Sequence, residues 1–133
     1  MIIADTSVWI DYFNGIESVE ADILDSALDD GAVAIGDIIF LEILQGFRSD
    51  KDFKMAKSKL SSLDQYEMFG HLAAYKCAEN YRFLRKKGIT IRKTTDIIIA
   101  TFCIDNKIPL LFSDRDFIPF TQHLELKSAL QKT

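Results

Sequence analysis

Histidine and cysteine are scarce in this chain, with two of each among 133 residues, and that scarcity removes whole classes of chemistry. His71 and His123 lie in different regions, so a zinc site and a serine–histidine triad both lack their parts. Cys77 and Cys103 have no partner at CxxC or zinc-ligand spacing and fall in apolar helical patterns. Buried reduced thiols are expected, although the sequence leaves a disulfide between them open. A basic excess is also missing: 20 acids against 16 bases give a net charge of −4, so any nucleic-acid binding must be local. No apolar stretch is long enough to span a bilayer, and MIIADTSVWI at the start has neither a basic region nor a cleavage site. A cytoplasmic protein with no membrane partner is the expectation. Linkers, repeats and low-complexity tracts are absent too, so residues 1–133 read as one domain. A chain of this size buries roughly two thirds of its unfolded surface and needs no structural metal.

What is present alternates between short apolar runs and helical patterns. Residues 2–4 are β-prone, and Asp5-Thr6-Ser7 supply capping side chains to a helix bearing Val8, Trp9, Ile10 and Phe13 that Asn14-Gly15 stops. Helical spacing follows between Glu17 and Asp30, a second strand at 32–35, and a helix from Ile38 to Phe47. That helix forms a hairpin with the one marked by Phe53, Ala56, Leu60 and Leu63. A strand candidate at Tyr66–Phe69 precedes a long amphipathic helix that Gly88 ends. Thr94 and Thr95 are expected to cap a helix, DIIIATFCI, so apolar all round that it belongs at the centre. Pro109 introduces the strand LLF, and the tail, 120–133, offers one weak strand, LEL. The pattern predicts an α/β fold whose parallel sheet is covered on both faces, with ligands beyond the carboxyl ends of the strands.

Four acids stand where strands end or where a helix would otherwise be apolar: Asp5, Glu42, Asp96 and Asp114. An ionised carboxylate in an apolar setting is costly unless it is paired or bound to metal. Hard cations such as Mg2+ and Mn2+ take oxygen ligands, and three to five acids around one cleft suit the activation of water against a phosphodiester. With Asp116 the chain supplies that number.

The strings carrying these acids are more specific than their spacing. MIIADTSVWIDYFNG, LEILQG, KKGITIRKTTDIIIA and LLFSDRDF together resemble the PIN-domain ribonucleases, and within them the VapC-type toxins of toxin–antitoxin pairs, in family order over residues 1–118. The resemblance implies a three-layer fold with a central, mainly parallel sheet, Mg2+- or Mn2+-dependent cleavage of RNA, a homodimer, and inhibition by a VapB-like antitoxin. It implies that Asp5 and Asp96 are the principal metal ligands. Glu42 and Asp114 are then the other essential acids, binding a second ion or orienting water, with Asp116 as an auxiliary and Thr6 and Ser113 as neighbouring hydroxyls. Asp37 departs from the pattern, which has serine or threonine there; it caps a helix or adds charge near the site.

Each feature also has a plainer reading. Asp5 and Asp96 suit helix starts, Asp114 and Asp116 suit a turn, and Glu42 escapes burial if its helix keeps a solvent face beside Ile38, Leu41 and Phe47. Arg82, Arg85, Lys86, Lys87, Arg92 and Lys93, with no acid among them, form an RNA-phosphate track or a solvated helix end. Trp9, Tyr12 and Phe13 are read as core or protein interface rather than base-stacking residues. Two rival functions remain at this level. One is a catalytically silent PIN-like binding module. The other is a phosphoryl-transfer enzyme of receiver or haloacid type, whose adjacent acids or DxD after the first strand this chain lacks.

Overall fold

The computed structural model describes residues 1–130. Its elements are β1 (Ile2–Ala4), α1 (Thr6–Phe13), α2 (Val19–Asp29), β2 (Val33–Gly36), α3 (Asp37–Gln45), α4 (Asp50–Ser61), β3 (Asp64–Tyr66), α5 (His71–Lys86), α6 (Thr94–Asn106), β4 (Leu110–Leu111) and α7 (Ile118–His123), with a 3-10 turn at Arg115–Phe117. The four strands form one parallel sheet in the order β3-β2-β1-β4, with helices between consecutive strands. Parallel strands need such crossovers, and burial on both faces explains why β2 and β4 are apolar throughout.

The strand order fixes where a site can lie. From β1 the chain steps outward through β2 to β3, then returns past β1 to lay β4 on its other side. That reversal opens a crevice at the carboxyl ends of β1 and β4. Asp5 and the segment from Ser113 to Asp116 emerge there. The register is set by Ile3 opposite Leu110 and Ala4 opposite Leu111.

Helix α6 is central as its composition requires, with Asp96 through Thr101 and Cys103 all buried, and it packs against α3 and α5. Trp9, Leu24, Ile35, Ile39, Leu60, Leu84, Ile99, Phe117 and Phe120 complete the core. Cys77 and Cys103 are buried free thiols, as expected.

Three local expectations need correction. Strand β3 lies at 64–66 rather than 66–69, and all three of its residues are exposed because it is an edge strand. The apolar signal read there belongs to Met68, a core residue packed on the backbone of Gly36. Thr94 and Thr95 do not cap α6; Lys93 holds the cap position and no side chain bonds there. In the tail, LEL is not a strand: Leu124 ends α7, Glu125 is left-handed (φ 65°), and the bridge to β4 is made instead by Ser128. Residues 131–133 of the tail and of the expected 1–133 domain lie outside the described residues.

Candidate active site

Asp5 is the first residue beyond β1. Its backbone N–H donates to the Leu111 carbonyl (2.8 Å), and its own carbonyl accepts from Val8 and Trp9, so strand and helix both fix it. Its side chain makes no cap bond to α1, contrary to the plain reading, but accepts from the Ser7 hydroxyl (3.1 Å). Burial pushes its carboxyl up to about 6, against the lowering effect of the Thr6 N–H and Ser7, while the negative Glu42 raises it further.

Asp96 lies in the first turn of α6 and is 5% exposed. Its carboxyl is pushed up to about 7, chiefly by burial and then by the charge of Asp5; Lys93 lowers it, and Asp114 and Asp116 raise it. Its Oδ2 is buried with no hydrogen-bond partner among the described residues. An orphaned carboxylate oxygen of this kind is expensive and calls for a cation.

Asp114 follows β4 half-buried, its Oδ1 accepting from the Asp116 N–H (2.9 Å) to start the 3-10 turn. The turn reading of this segment therefore holds locally, and the same turn brings the two side chains to Asp96. One carboxylate oxygen from each of Asp96, Asp114 and Asp116 lies within 4.8 Å of the others. Glu42 is half-buried on α3 and accepts from Thr6 Oγ1 at 2.7 Å. Its helix is less enclosed than its flanks suggested, since Leu41 is 58% exposed. Ser113 is exposed, with its hydroxyl 3.4 Å from that of Ser7.

Asp5 interacts electrostatically with both Glu42 and Asp96, which links the tight triad to the Thr6–Glu42 pair. Three carboxylates, from α6 and the segment after β4, thus come together, and Asp5 after β1 feels the charge of both Asp96 and Glu42 without joining that triad. With this many oxygen donors, and no histidine or cysteine among them, the cluster fits a hard divalent cation.

The basic residues divide into two groups. Arg92 Nη2 reaches Asp116 at 3.3 and 3.4 Å, and Lys93 stands near enough to Asp96 to favour its ionised form, so both border the acids. Arg85 and Lys86 are exposed in the last turn of α5, where positive charge also suits the helix end; Arg85 lies over the Tyr81 ring at 5.5 Å. Asp37 accepts from the N–H groups of Ile38 (2.8 Å) and Met68 (2.9 Å), stapling the start of α3 to the segment beyond β3. Trp9 is fully buried and stacks on Phe13 (5.8 Å between centroids), so it is core.

One participant and one contact escaped the sequence. Ser7 joins Asp5 to Ser113, and the DTS triplet gave no reason to choose its hydroxyl over that of Thr6. The pairing of Arg92 with Asp116 needs tertiary proximity that a charge run does not disclose.

Comparison with known proteins places these features in context. The family described as PIN domain matches residues 2–120. Two curated relatives, VapC ribonuclease Mb1587 of Mycobacterium bovis and Ribonuclease VapC11 of Mycobacterium tuberculosis, are each 28% identical over 131 residues, covering 97% of this chain and 98% of theirs. Among solved structures, VapBC2 from Rickettsia felis bound to a promoter DNA fragment superposes with a TM-score of 0.75 at 19% identity, over 96% of this chain and 97% of that one. FitAcB from Neisseria gonorrhoeae gives 0.71 at 15% identity over 96% of both chains. A toxin–antitoxin complex from Klebsiella pneumoniae gives 0.62 at 22% identity, over 88% and 90%.

Proposed function

This chain belongs to the PIN-domain family, and from that premise we propose that it is the toxin of a type II toxin–antitoxin pair, a ribonuclease that hydrolyses RNA phosphodiesters with Mg2+ or Mn2+. Relatives named as VapC ribonucleases match nearly the full chain, which supports the activity. Structural neighbours that are toxin–antitoxin complexes support an antitoxin as partner.

The observation that carries the reading is the Oδ2 of Asp96, buried without a partner among the described residues and belonging to a triad of carboxylates at the crevice between β1 and β4. Asp96, Asp114 and Asp116, with one oxygen each within 4.8 Å of the others, would hold the metal together with Asp5. A bound divalent ion supplies charge stabilisation to the phosphoryl oxygens and acidifies water. Glu42, whose carboxylate accepts from the Thr6 hydroxyl, would orient the attacking water and take its proton. Ser7 and Ser113 fix Asp5 and the rim of the crevice. The depth of Asp5 and Asp96 keeps bulk water from screening their charge.

Asp96→Asn should reduce metal-dependent RNA cleavage by about a hundred- to a thousandfold, the scale on which key electrostatic groups act, while melting no lower than wild type in chelator. Purified protein incubated with RNA, Mn2+ and then EDTA provides the assay. Cleavage that survives EDTA, or wild-type rates from Asp96→Asn or Asp5→Asn, would overturn the reading.

A further inference from the structure

Arg92 occupies an unusual position for a cation beside a metal-type site. Among the described residues, the carboxylate triad makes one ion pair, and Arg92 makes it. The arginine reaches in from solvent, 77% exposed, onto an Asp116 that is 24% exposed, and a single nitrogen spans both oxygens at 3.3 and 3.4 Å. The neighbouring Ile91 is buried and anchors the loop, which keeps the guanidinium near the cluster without enclosing it.

Such a pair is weak, because its length and exposure place it among surface ion pairs of small net worth. It is nonetheless directed at a carboxylate that also faces Asp96 and Asp114. An oxygen that ligates a divalent ion at about 2.1 Å loses much of its attraction for a guanidinium, and the two positive charges repel.

Resting on the metal-site reading above, we propose that Arg92 is an exchangeable counter-ion. It neutralises Asp116 while the site is metal-free, competes with the divalent ion for that carboxylate, and is released toward the RNA backbone when the ion binds. The planar guanidinium suits the last role, since its paired donors match phosphate oxygens. Arg92 is accordingly a positioning residue that sets the metal concentration at which the site fills.

The test is Mn2+ titration of the RNA-free protein by calorimetry, comparing wild type, Arg92→Gln, Asp116→Asn and the double variant. Arg92→Gln should bind Mn2+ about two- to fivefold more tightly, the factor by which an exposed pair competes. Asp116→Asn should erase that gain. Unchanged or weaker affinity in Arg92→Gln overturns the proposal, as does a gain that persists in the double variant, because the arginine would then not act through Asp116. Wild-type protein that takes up no Mn2+ overturns the metal site itself, and the Arg92 proposal with it.

Discussion

At the scale of single residues, the site is a set of carboxyls held out of water. Asp5 and Asp96 have folded-state values of about 6 and about 7, both above the ordinary 3.8. Each binds its proton more tightly folded than unfolded, so the associated stability is fully present below about pH 4 and is lost as pH rises through the folded values. At about 1.4 kcal/mol per unit of pKa, about one unit for Asp5 and two for Asp96, the metal-free protein should lose on the order of 4 kcal/mol between pH 5 and pH 8. In EDTA the melting temperature should therefore fall by roughly 12–16 °C over that interval. Asp96→Asn should flatten the fall, and Mn2+ should restore more stability at pH 8 than at pH 5, where protons compete with it. A melting temperature that rises steadily from pH 5 to pH 8 in chelator would contradict the burial of these groups. The sequence draws attention to Glu42, set among isoleucine, phenylalanine and leucine, as the acid costly to bury, whereas the buried acids are Asp5 and Asp96 and Glu42 is half-buried. The Thr6 bond to Glu42 and the Ser7 bond to Asp5 were not legible, because consecutive hydroxyls diverge only once the turn into α1 fixes their directions.

Among the elements, packing between β2 and the segment after β3 is a tight local constraint. Any Cβ at Gly36 would overlap the Met68 side chain, which is itself fully buried and unable to swing into solvent. Gly36→Ala should cost about 1–3 kcal/mol, as overpacking of a core usually does. Chemical denaturation would measure it, and adding Met68→Ala should leave a double variant more stable than the two single losses predict. Strict additivity would mean that the two side chains do not collide. The same junction shows why some elements were readable and one was not. Helix α6 declared its central place by being apolar on every side, and β2 and β4 by unbroken apolar runs. Strand β3 consists of Asp64, Gln65 and Tyr66, polar enough for an edge, and is held by backbone bonds to β2 that leave no periodicity in the sequence. Asp37, which departs from the family pattern, follows the same logic: its carboxylate joins α3 to Met68, a contact visible only after folding.

For the molecule as a whole, charge is unevenly distributed. The net charge is −4, yet the end of α5 and the loop to α6 collect Arg82, Arg85, Lys86, Lys87, Arg92 and Lys93, of which Arg92 and Lys93 border the acids. Replacing Arg85 and Lys86 together by alanine should weaken RNA binding and reduce the slope of log K against log salt by about 1.4, since each single-strand phosphate contact contributes about 0.7. A titration with an unchanged slope would return those two residues to the role of a solvated helix end. No helix among the described residues is long and apolar enough to cross a membrane.

The strand order has a further consequence for the making of the protein. β1 is translated first, yet its neighbour β4 and the acids beyond it come about 110 residues later. At about 5–20 residues per second, the nascent chain displays Asp5 for roughly 5–20 seconds before Asp114 is added. A ribosome carrying this message thus holds only disconnected fragments of the crevice until β4 and the acids after it have been added.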